Sequence, residues 1–311
     1  MQFFTKNTTL IIPTKDRAFK VVDLLIFLKK SKIKFFEILV IDSSNKKNSN
    51  ILKNHSKKLK FQYFHTYPST SYQRNVGLNK KHPSTRFVMF LDDDVIFYKN
   101  AFKEMNRIIV KYILIKEIGG FGFNQMQKQT NKNFFEKIKN SKFINFIGFY
   151  SNKPGKVLKS GWHSKILNAK KNTYVDWVYT TACVYKTEAI RNLKFDENFG
   201  QYSYLEDLDF SLNLKKLKKK IVISYLAKFT HPNNIDRSSL IFGITEVINR
   251  FRIVKKHKLN LYFFFIVSLF RFIISLINSL FFNLRYFLRA IGNIVGFFKI
   301  ITSLFKTNKF K

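Results

Sequence analysis

The chain has 311 residues, 46% of them hydrophobic and 37 of them Phe, which suits a folded α/β domain with an appendage and excludes a disordered chain. Lys and Arg number 56 against 19 Asp and Glu, a formal charge of +37. Such a field favours polyanionic partners: nucleic acid, anionic lipid or phosphorylated small molecules. The basic residues are spread along the whole chain, so charge alone does not choose among these partners. Because acids are scarce, clustered acids need a specific explanation.

The single cysteine, Cys183, excludes an intramolecular disulfide and fits a reducing compartment. Residues 1–9 contain no long apolar run behind a basic tip, so we expect no secretory signal. The folded part is therefore expected to stay in the cytoplasm.

Four short apolar runs alternate with helix-like segments in the first half of the chain, at residues 9–12, 37–41, 61–64 and 86–91. Continuous apolar runs of this length predict an α/β fold with a mostly parallel sheet flanked by helices. Polar residues follow three of the runs: Thr14, Asp42 and Asp92–Asp94. Ligands of such sheets bind beyond the carboxyl ends of the strands, so these residues predict a binding site.

The remaining elements are predicted from periodicity and composition. Residues 125–171 are polar and poorly periodic, which indicates loops and short helices. Order returns at 174–185, followed by a helix over 205–219, a strand over 221–225 and a helix over 238–256. We predict one domain over residues 1–235 and a C-terminal apolar and basic helical extension over 236–311.

The C-terminal region changes in composition, because residues 261–284 are almost wholly apolar and long enough to span a membrane. Arg271 interrupts the run, at a cost of ~2.5–3.5 kcal/mol near the centre of a bilayer. Arg271, Asn278, Arg285 and Arg289 recur at steps of seven, seven and four, which places them on one helical stripe. We predict helices over 259–311 that lie in the membrane interface with this stripe facing lipid phosphates. A single span at about 261–284 and a core helix packed on the domain are the alternatives.

Two acidic clusters are candidates for chemistry. Asp92–Asp94 follows an apolar strand, and adjacent carboxylates suit a hard divalent cation; the alternative is a solvated acidic turn. The second cluster comprises Glu206, Asp207 and Asp209, in which one carboxylate would act as a general base; the alternative is an ordinary partnership with a helix N-terminus. His231 is either a third metal ligand or a structural histidine.

Five motifs in order resemble the family 2 glycosyltransferases, which have the GT-A fold: Ile-Ile-Pro-Thr-Lys-Asp-Arg (11–17), Val-Ile-Asp-Ser-Ser (40–44), Gln-Arg-Asn-Val-Gly-Leu (73–78), Phe-Leu-Asp-Asp-Asp (90–94) and Glu-Asp-Leu-Asp-Phe (206–210). The resemblance covers roughly residues 8–235. It implies an inverting transfer of a sugar from a UDP-, GDP- or dTDP-sugar to an acceptor hydroxyl, with a divalent cation (Mg²⁺ or Mn²⁺).

The resemblance also implies roles for single residues. Those expected to bind the nucleotide or diphosphate are Pro13, Thr14, Arg17, Asp42, Arg74, Asp92 and Asp93. Those expected to hold the metal are Asp94, Asp92 and His231, with Asp94 the direct ligand and Asp93 given no separate chemistry.

On the acceptor side, the resemblance makes Asp207 the catalytic base. Glu206 and Trp177 are the candidates for contact with donor or acceptor sugar, Trp177 by stacking on a sugar face; the alternative for Trp177 is a core aromatic.

The acceptor is predicted to be a lipid-linked or surface-polysaccharide glycan at the cytoplasmic face of the membrane. A polyprenyl-phosphate sugar synthase of the same fold is an alternative. A basic nucleic-acid-binding protein is the alternative from another class, but it gives the acidic clusters no task, so we expect no nucleic-acid partner. The sequence lacks a Gly-rich Walker loop and a Gly-x-Gly-x-x-Gly after the first run, which disfavours P-loop and dinucleotide folds.

Overall fold

A computed structural model describes residues 3–127, 146, 148–232, 237–281 and 283–308. The boundary predicted between residues 235 and 236 lies outside these described residues, as does part of the predicted irregular segment 125–171.

The chain divides into two compact units. The sheet unit comprises Met1–Gln129 and Ile166–Pro232, and the helical unit comprises Thr130–Lys165 and Asn233–Lys311. That the sheet unit is the catalytic domain stays a prediction at this point.

The described part of the sheet unit contains one nine-stranded sheet. Its strands are β1 (Thr8–Thr14), β2 (Glu37–Asp42), β3 (Gln62–His65), β4 (Phe87–Leu91), β5 (Ile96–Phe97), β6 (Ile118–Gln125), β7 (Thr173–Val175), β8 (Ala182–Lys186) and β9 (Lys220–Thr230). The order is β3-β2-β1-β4-β8-β6-β9-β5, and β7 pairs with β9. Parallel pairing joins β1 to β2 and β4, β2 to β3, and β6 to β9, while β5, β7 and β8 run antiparallel to their neighbours. The prediction of a mostly parallel sheet in an α/β fold is confirmed.

Six helices surround this sheet in the described chain: α1 (Ala18–Lys30), α2 (Lys46–Leu59), α3 (Thr70–Lys80), α4 (Ala101–Tyr112), α5 (Thr187–Ile190) and α6 (Glu206–Lys216). In α1 the buried residues Val21, Leu24, Leu25 and Leu28 recur with helical spacing, which gives the helix one apolar face. Helix α3 begins after Ser69, whose side chain accepts a hydrogen bond from the backbone N–H of Tyr72.

Close packing fixes α3 against the sheet. A Cβ atom at Gly77 would lie 2.5 Å from Cγ2 of Ile11 in β1, so only glycine permits this approach. The approach sets the depth at which the residues of α3 reach the carboxyl ends of β1 and β2.

Strand β9 is longer than the predicted strand over 221–225. Its second half remains paired, since Lys228 and Phe229 are opposite residues of β6 and Thr230 is opposite Ile96 of β5. The extra length carries His231 to the end of the sheet where β4 also ends.

The helical unit contains three long helices among its described residues: α7 (Leu240–Lys256), α8 (Leu261–Phe281) and α9 (Arg285–Asn308). Glycines bring α7 and α9 together, because a Cβ at Gly292 would lie 2.2 Å from the carbonyl oxygen of Leu240. Helices α8 and α9 each contain a 21-residue segment that is long and apolar enough to cross a membrane, by length and composition. These segments are Leu261–Phe281 and Arg285–Phe305.

The predicted basic stripe facing lipid is wrong. Helix α8 ends at Phe281 and α9 begins at Arg285, so the predicted stripe is divided between two helices. Arg271 and Asn278 lie on α8, and Arg285 and Arg289 lie on α9. The Arg271 guanidinium lies 4.7 Å from the centre of the Phe149 ring, and Arg289 donates to Glu246 at 2.7 Å. Two members of the stripe therefore face partners inside the helical unit.

Candidate active site

The candidate site lies at the carboxyl end of the sheet. Thr14 and Asp42 are opposite each other where the parallel strands β1 and β2 end. Asp92–Asp94 follow β4, and His231 follows β9. Because these strands run in the same direction, the chain brings their ends to one edge.

Asp93 and Asp94 are surrounded by donors. Arg17 contacts Asp93 Oδ1 and Asp94 Oδ2, each at 3.0 Å, and Lys20 lies 3.6 Å from Asp94. Nε2 of His231 lies 2.8 Å from Asp94 Oδ1, and Thr14 Oγ1 donates to Asp93 at 2.6 Å. The carboxyls of Asp93 and Asp94 after β4 are therefore held by the cationic side chains of Arg17 and Lys20.

The two carboxyls differ in acidity. Burial raises the pKa of Asp93 to about 6, although Arg17 and Thr14 oppose it. Burial would also raise the pKa of Asp94, but the hydrogen bond and charge of His231, with Arg17 and Lys20, lower that pKa to about 2. Asp94 stays anionic at every physiological pH, as a cation ligand must.

Asp92 turns to a different partner. Its Oδ1 accepts from Arg74 Nη2 at 3.2 Å, and Nη1 of the same guanidinium pairs with Glu206. Arg74 is 3% exposed. The structure therefore places Arg74 as a buried link between the two acidic clusters, and its contact with a nucleotide or diphosphate stays a prediction.

Asp207 is partly buried in the first turn of α6. Its Oδ1 accepts from the backbone N–H of Leu208 at 2.8 Å. Burial raises the pKa of Asp207 to about 8, and the charge of Glu206 adds to this effect, against the hydrogen bond of Leu208 and the charge of Arg74. A carboxyl with such a pKa is suited to exchanging a proton near neutral pH.

The residues present fit a divalent cation of the Mg²⁺ or Mn²⁺ type only as a partial ligand set. Among the described residues, no group of three or more His, Cys, Asp and Glu side chains is placed to hold a metal. Asp94 and His231 are together, while Asp92 faces Arg74. Proteins commonly hold Mg²⁺ by one or two carboxylates plus substrate phosphates and water, and Asp94 offers such a carboxylate.

Asp42, another residue predicted to bind the nucleotide, lies inside the protein. Asp42 is fully buried and accepts from Ser44, Ser49 Oγ (2.7 Å) and Tyr63 Oη (2.8 Å), so its carboxylate holds the loop after β2 together. Its contact with a base or ribose stays a prediction.

Trp177 and Glu206, the two residues predicted to contact a sugar, are buried as well. Trp177 is 1% exposed and packs edge-on against Tyr179, which makes it a core aromatic with no face open to a sugar. Glu206 is buried against Arg74. Pro13 lies buried within β1 opposite Ile41, one residue before the site.

Sequence reasoning missed several residues that build the site. Gln73 Nε2 donates to the carbonyl oxygens of Thr14 (2.8 Å) and Ile41 (2.7 Å), which ties β1 to β2. Asn75 Nδ2 donates to the carbonyl oxygen of Phe195 and to Glu197. The signal was present, since both residues flank Arg74 in the motif over 73–78, but polarity on a helix does not reveal which strand ends it meets.

No protein-family model matches the chain, and no curated protein matches it by sequence. Among solved structures, the chain is similar to the mannosyltransferase PcManGT from Pyrobaculum calidifontis in complex with GDP-Man and Mn²⁺, with a TM-score of 0.55 and 11% identity over 94% of this chain and 87% of that chain. It also matches S. aureus TarS 1–349, with a TM-score of 0.49 and 17% identity over 82% of this chain and 67% of that one. The chain covers 42% of a longer TarS chain. At these identities, the likeness to the mannosyltransferase establishes that the chain shares the fold of a glycosyltransferase.

Proposed function

We propose that the chain is an inverting glycosyltransferase that moves a sugar from a nucleotide diphosphate donor to an acceptor hydroxyl. The observation that carries the proposal is that Arg74 joins two acidic groups, since it pairs with Asp92, two residues before Asp94, and with Glu206, the residue before Asp207. The pKa of Asp94 is lowered to about 2, and that of Asp207 is raised to about 8. The reaction needs both a permanent anion and a group that takes up a proton.

The donor side is assigned to Asp94, His231 and Arg17. Asp94, with His231, would hold a divalent cation, which when bound supplies positive charge to the departing diphosphate. Arg17 is 43% exposed and carries a fork of donors suited to phosphate oxygens. The likeness to a mannosyltransferase in complex with GDP-Man and Mn²⁺ supports this donor chemistry.

The acceptor side is assigned to Asp207. As a carboxylate it accepts the proton of the acceptor hydroxyl, whose oxygen forms the new bond to the anomeric carbon as the bond to the diphosphate breaks. Arg74 orients this side through Glu206, the residue next to Asp207.

We further propose that the helical unit places the enzyme on the cytoplasmic face of a membrane, where a lipid-linked acceptor is found. The surfaces of α8 and α9 expose many large apolar residues, among them Leu269, Leu280, Phe281, Phe287 and Phe298. An exposed apolar surface of this extent is typical of contact with a membrane or partner.

Contacts within the helical unit support an interfacial position for α8 over a span. The non-helical segment 148–165 packs along α8, since Trp162 lies 6.0 Å from Phe264 and Phe149 lies 6.1 Å from Phe270, ring centre to ring centre. Irregular backbone is not tolerated against hydrocarbon. One face of α8 is therefore covered by protein while the other remains open to lipid.

The transfer proposal is tested by incubating the full chain with UDP-, GDP- and dTDP-sugars and Mn²⁺ and measuring nucleotide release. We expect release from at least one donor, abolished by chelation and by Asp94→Asn. Release that is unchanged by both would contradict the assignment of Asp94, and the absence of any release would contradict a transferase.

The membrane proposal is tested by vesicle flotation. We expect the full chain to float with vesicles containing anionic lipid, and Leu280→Asp with Phe281→Asp to remain at the bottom. Leu114→Asp is the matched control, because Leu114 is 90% exposed in the sheet unit. Extraction of the bound protein by alkaline carbonate distinguishes an interfacial helix from a span, which would resist extraction.

A further inference from the structure

Exposed tyrosines lie on two segments, one that follows β3 and one that leads into the helix of the proposed base. Tyr67 is 52% exposed and follows β3, and Tyr202 is 48% exposed and precedes α6. The Tyr67 ring stacks on Tyr72 with centres 4.0 Å apart, and Tyr202 lies parallel to Tyr204 at 6.4 Å. Large exposed aromatic groups that stack in pairs are preorganised contact surfaces.

The two segments are bonded to each other next to these tyrosines. The backbone N–H of Thr70 donates to the carbonyl oxygen of Gln201 at 3.3 Å, and that of Ser71 donates to Ser203 Oγ at 3.1 Å. Ser71 immediately precedes Tyr72, and Ser203 lies between Tyr202 and Tyr204. The two tyrosine pairs therefore belong to one connected surface.

The same segments lead directly to the proposed base. Arg74, two residues after Tyr72, pairs with Glu206, the residue before Asp207. Ser203 (φ 49°) and Leu205 (φ 77°) adopt left-handed backbone conformations that are unfavourable for residues other than glycine. Such strain persists where surrounding contacts hold a segment in one shape, as at binding sites.

The charges around the tyrosines select the kind of ligand. Tyr67 Oη lies 3.4 Å from Glu197, and Glu206 and Asp207 follow Tyr204 in sequence. The neighbouring cation, Arg74, is already paired with Glu206 and Asp92. The carboxylate of Glu197 beside Tyr67 disfavours a phosphate there, whereas a neutral sugar offers apolar C–H faces to an aromatic ring and hydroxyls to carboxylates and phenols.

We propose that Tyr67, Tyr72, Tyr202 and Tyr204 form the binding surface for a neutral oligosaccharide acceptor, whose rings stack on the tyrosine faces and present a hydroxyl to Asp207. This inference rests on the proposed transferase function, since it names the acceptor class of the same site. The tyrosine surface would thus recognise the sugar rings of the acceptor. The phosphate of a lipid carrier would bind away from these tyrosines.

The test is binding of the full chain to an array of neutral and acidic oligosaccharides, with vesicles containing polyprenyl phosphate as a separate arm. We expect binding to neutral oligosaccharides, weakened at least about tenfold by Tyr67→Ala and Tyr202→Ala, in line with the cost of losing an aromatic stacking partner. Tyr67→Phe keeps the ring and should retain most of the binding. Tyr174→Ala is the matched control, because Tyr174 is 57% exposed and lies on β7 opposite Val222, near the start of β9.

Two outcomes would overturn the tyrosine surface: alanine variants that bind sugars as the wild type does, or a wild type that binds polyprenyl phosphate vesicles and no neutral oligosaccharide. Thermal unfolding shows whether a variant is folded. Nucleotide release from sugar donors by the wild type is measured in parallel. If release is absent while tyrosine-dependent sugar binding is present, the transferase proposal fails and the binding surface survives; the reverse result refutes the surface alone.

Discussion

The sheet unit has two acidic clusters, and the pKa values of one carboxyl from each, Asp94 in the first and Asp207 in the second, shift in opposite directions. Asp94 is surrounded by cations on long side chains, two of which, Arg17 and Lys20, are 43% and 45% exposed, and its pKa falls to about 2. Asp207 shares its surroundings with Glu206, whose own partner Arg74 is buried, and its pKa rises to about 8. The neighbours of a carboxyl, more than its identity, decide whether it serves as a permanent anion or as a proton acceptor.

The largest expected effect comes from removing the proposed proton acceptor, Asp207. Asp207→Asn keeps the size of the side chain but cannot take up the proton, so we expect a loss of roughly 10²–10⁴ in kcat with nucleotide affinity unchanged. Steady-state kinetics and calorimetry with nucleotide measure the two quantities.

Asp209→Asn is the matched control for this variant, because Asp209 is in the same first turn of α6. If the acids serve only as partners of the helix N-terminus, the two variants would lose similar activity. Equal losses would remove the distinction drawn for Asp207.

Removing the permanent anion should act on binding instead. Asp94→Asn is expected to weaken Mn²⁺-dependent nucleotide binding by about 100-fold. This is the upper end of the loss that follows when a residue supporting a metal ligand is removed, and a direct ligand should matter no less. Calorimetry with UDP or GDP and Mn²⁺ provides the measurement. Asp93→Asn, one residue away, should have a much smaller effect, and an equal effect would mean that Asp93 is also a ligand.

The pH dependence sharpens the contrast. Since the pKa of Asp207 is about 8, kcat/KM should rise about tenfold per pH unit up to about pH 8. A plateau that begins near pH 5 would contradict the raised pKa.

Stability should move in the opposite direction. A folded-state pKa raised above the unfolded value means that the native state holds the proton longer, so the stabilisation is complete below about pH 4 and is lost as pH rises towards 8. Denaturant unfolding of the wild type against Asp207→Asn should show the wild type losing relative stability over this window.

The smallest expected effect concerns Arg17, the partly exposed cation beside Asp94. Arg17→Gln removes a competitor for Asp93 and Asp94, so Mn²⁺ alone should bind roughly two- to fivefold more tightly, the size expected for an exposed ion pair. Lys15→Gln changes the same charge on an exposed side chain of the same loop and serves as the control. Weaker Mn²⁺ binding in Arg17→Gln would show that Arg17 supports the cation site.

Much of the sheet unit could be predicted from the sequence. The apolar runs that became β1, β2, β3 and β4 are local patterns, and their polar ends could be assigned to one edge because parallel strands end together. The helix α6 could also be predicted, since the sequence indicates a helix over residues 205–219. The predicted ends of β9, α8 and α9 were less accurate for one reason. The residue at which a strand stops pairing, or at which an apolar helix ends, depends on partners that are distant in sequence.

The tertiary structure decided the surroundings of each acid. The sequence singled out Asp42, Arg74, Trp177 and Glu206 as contacts for nucleotide or sugar, and all four are buried in the structure, because burial depends on how helices pack over the sheet. The clusters themselves were determined by the sequence, as acids at strand and helix ends in a chain poor in acids. Their opposite pKa values arise only when Arg17 and His231 reach Asp94, and when burial and the charge of Glu206 act on Asp207.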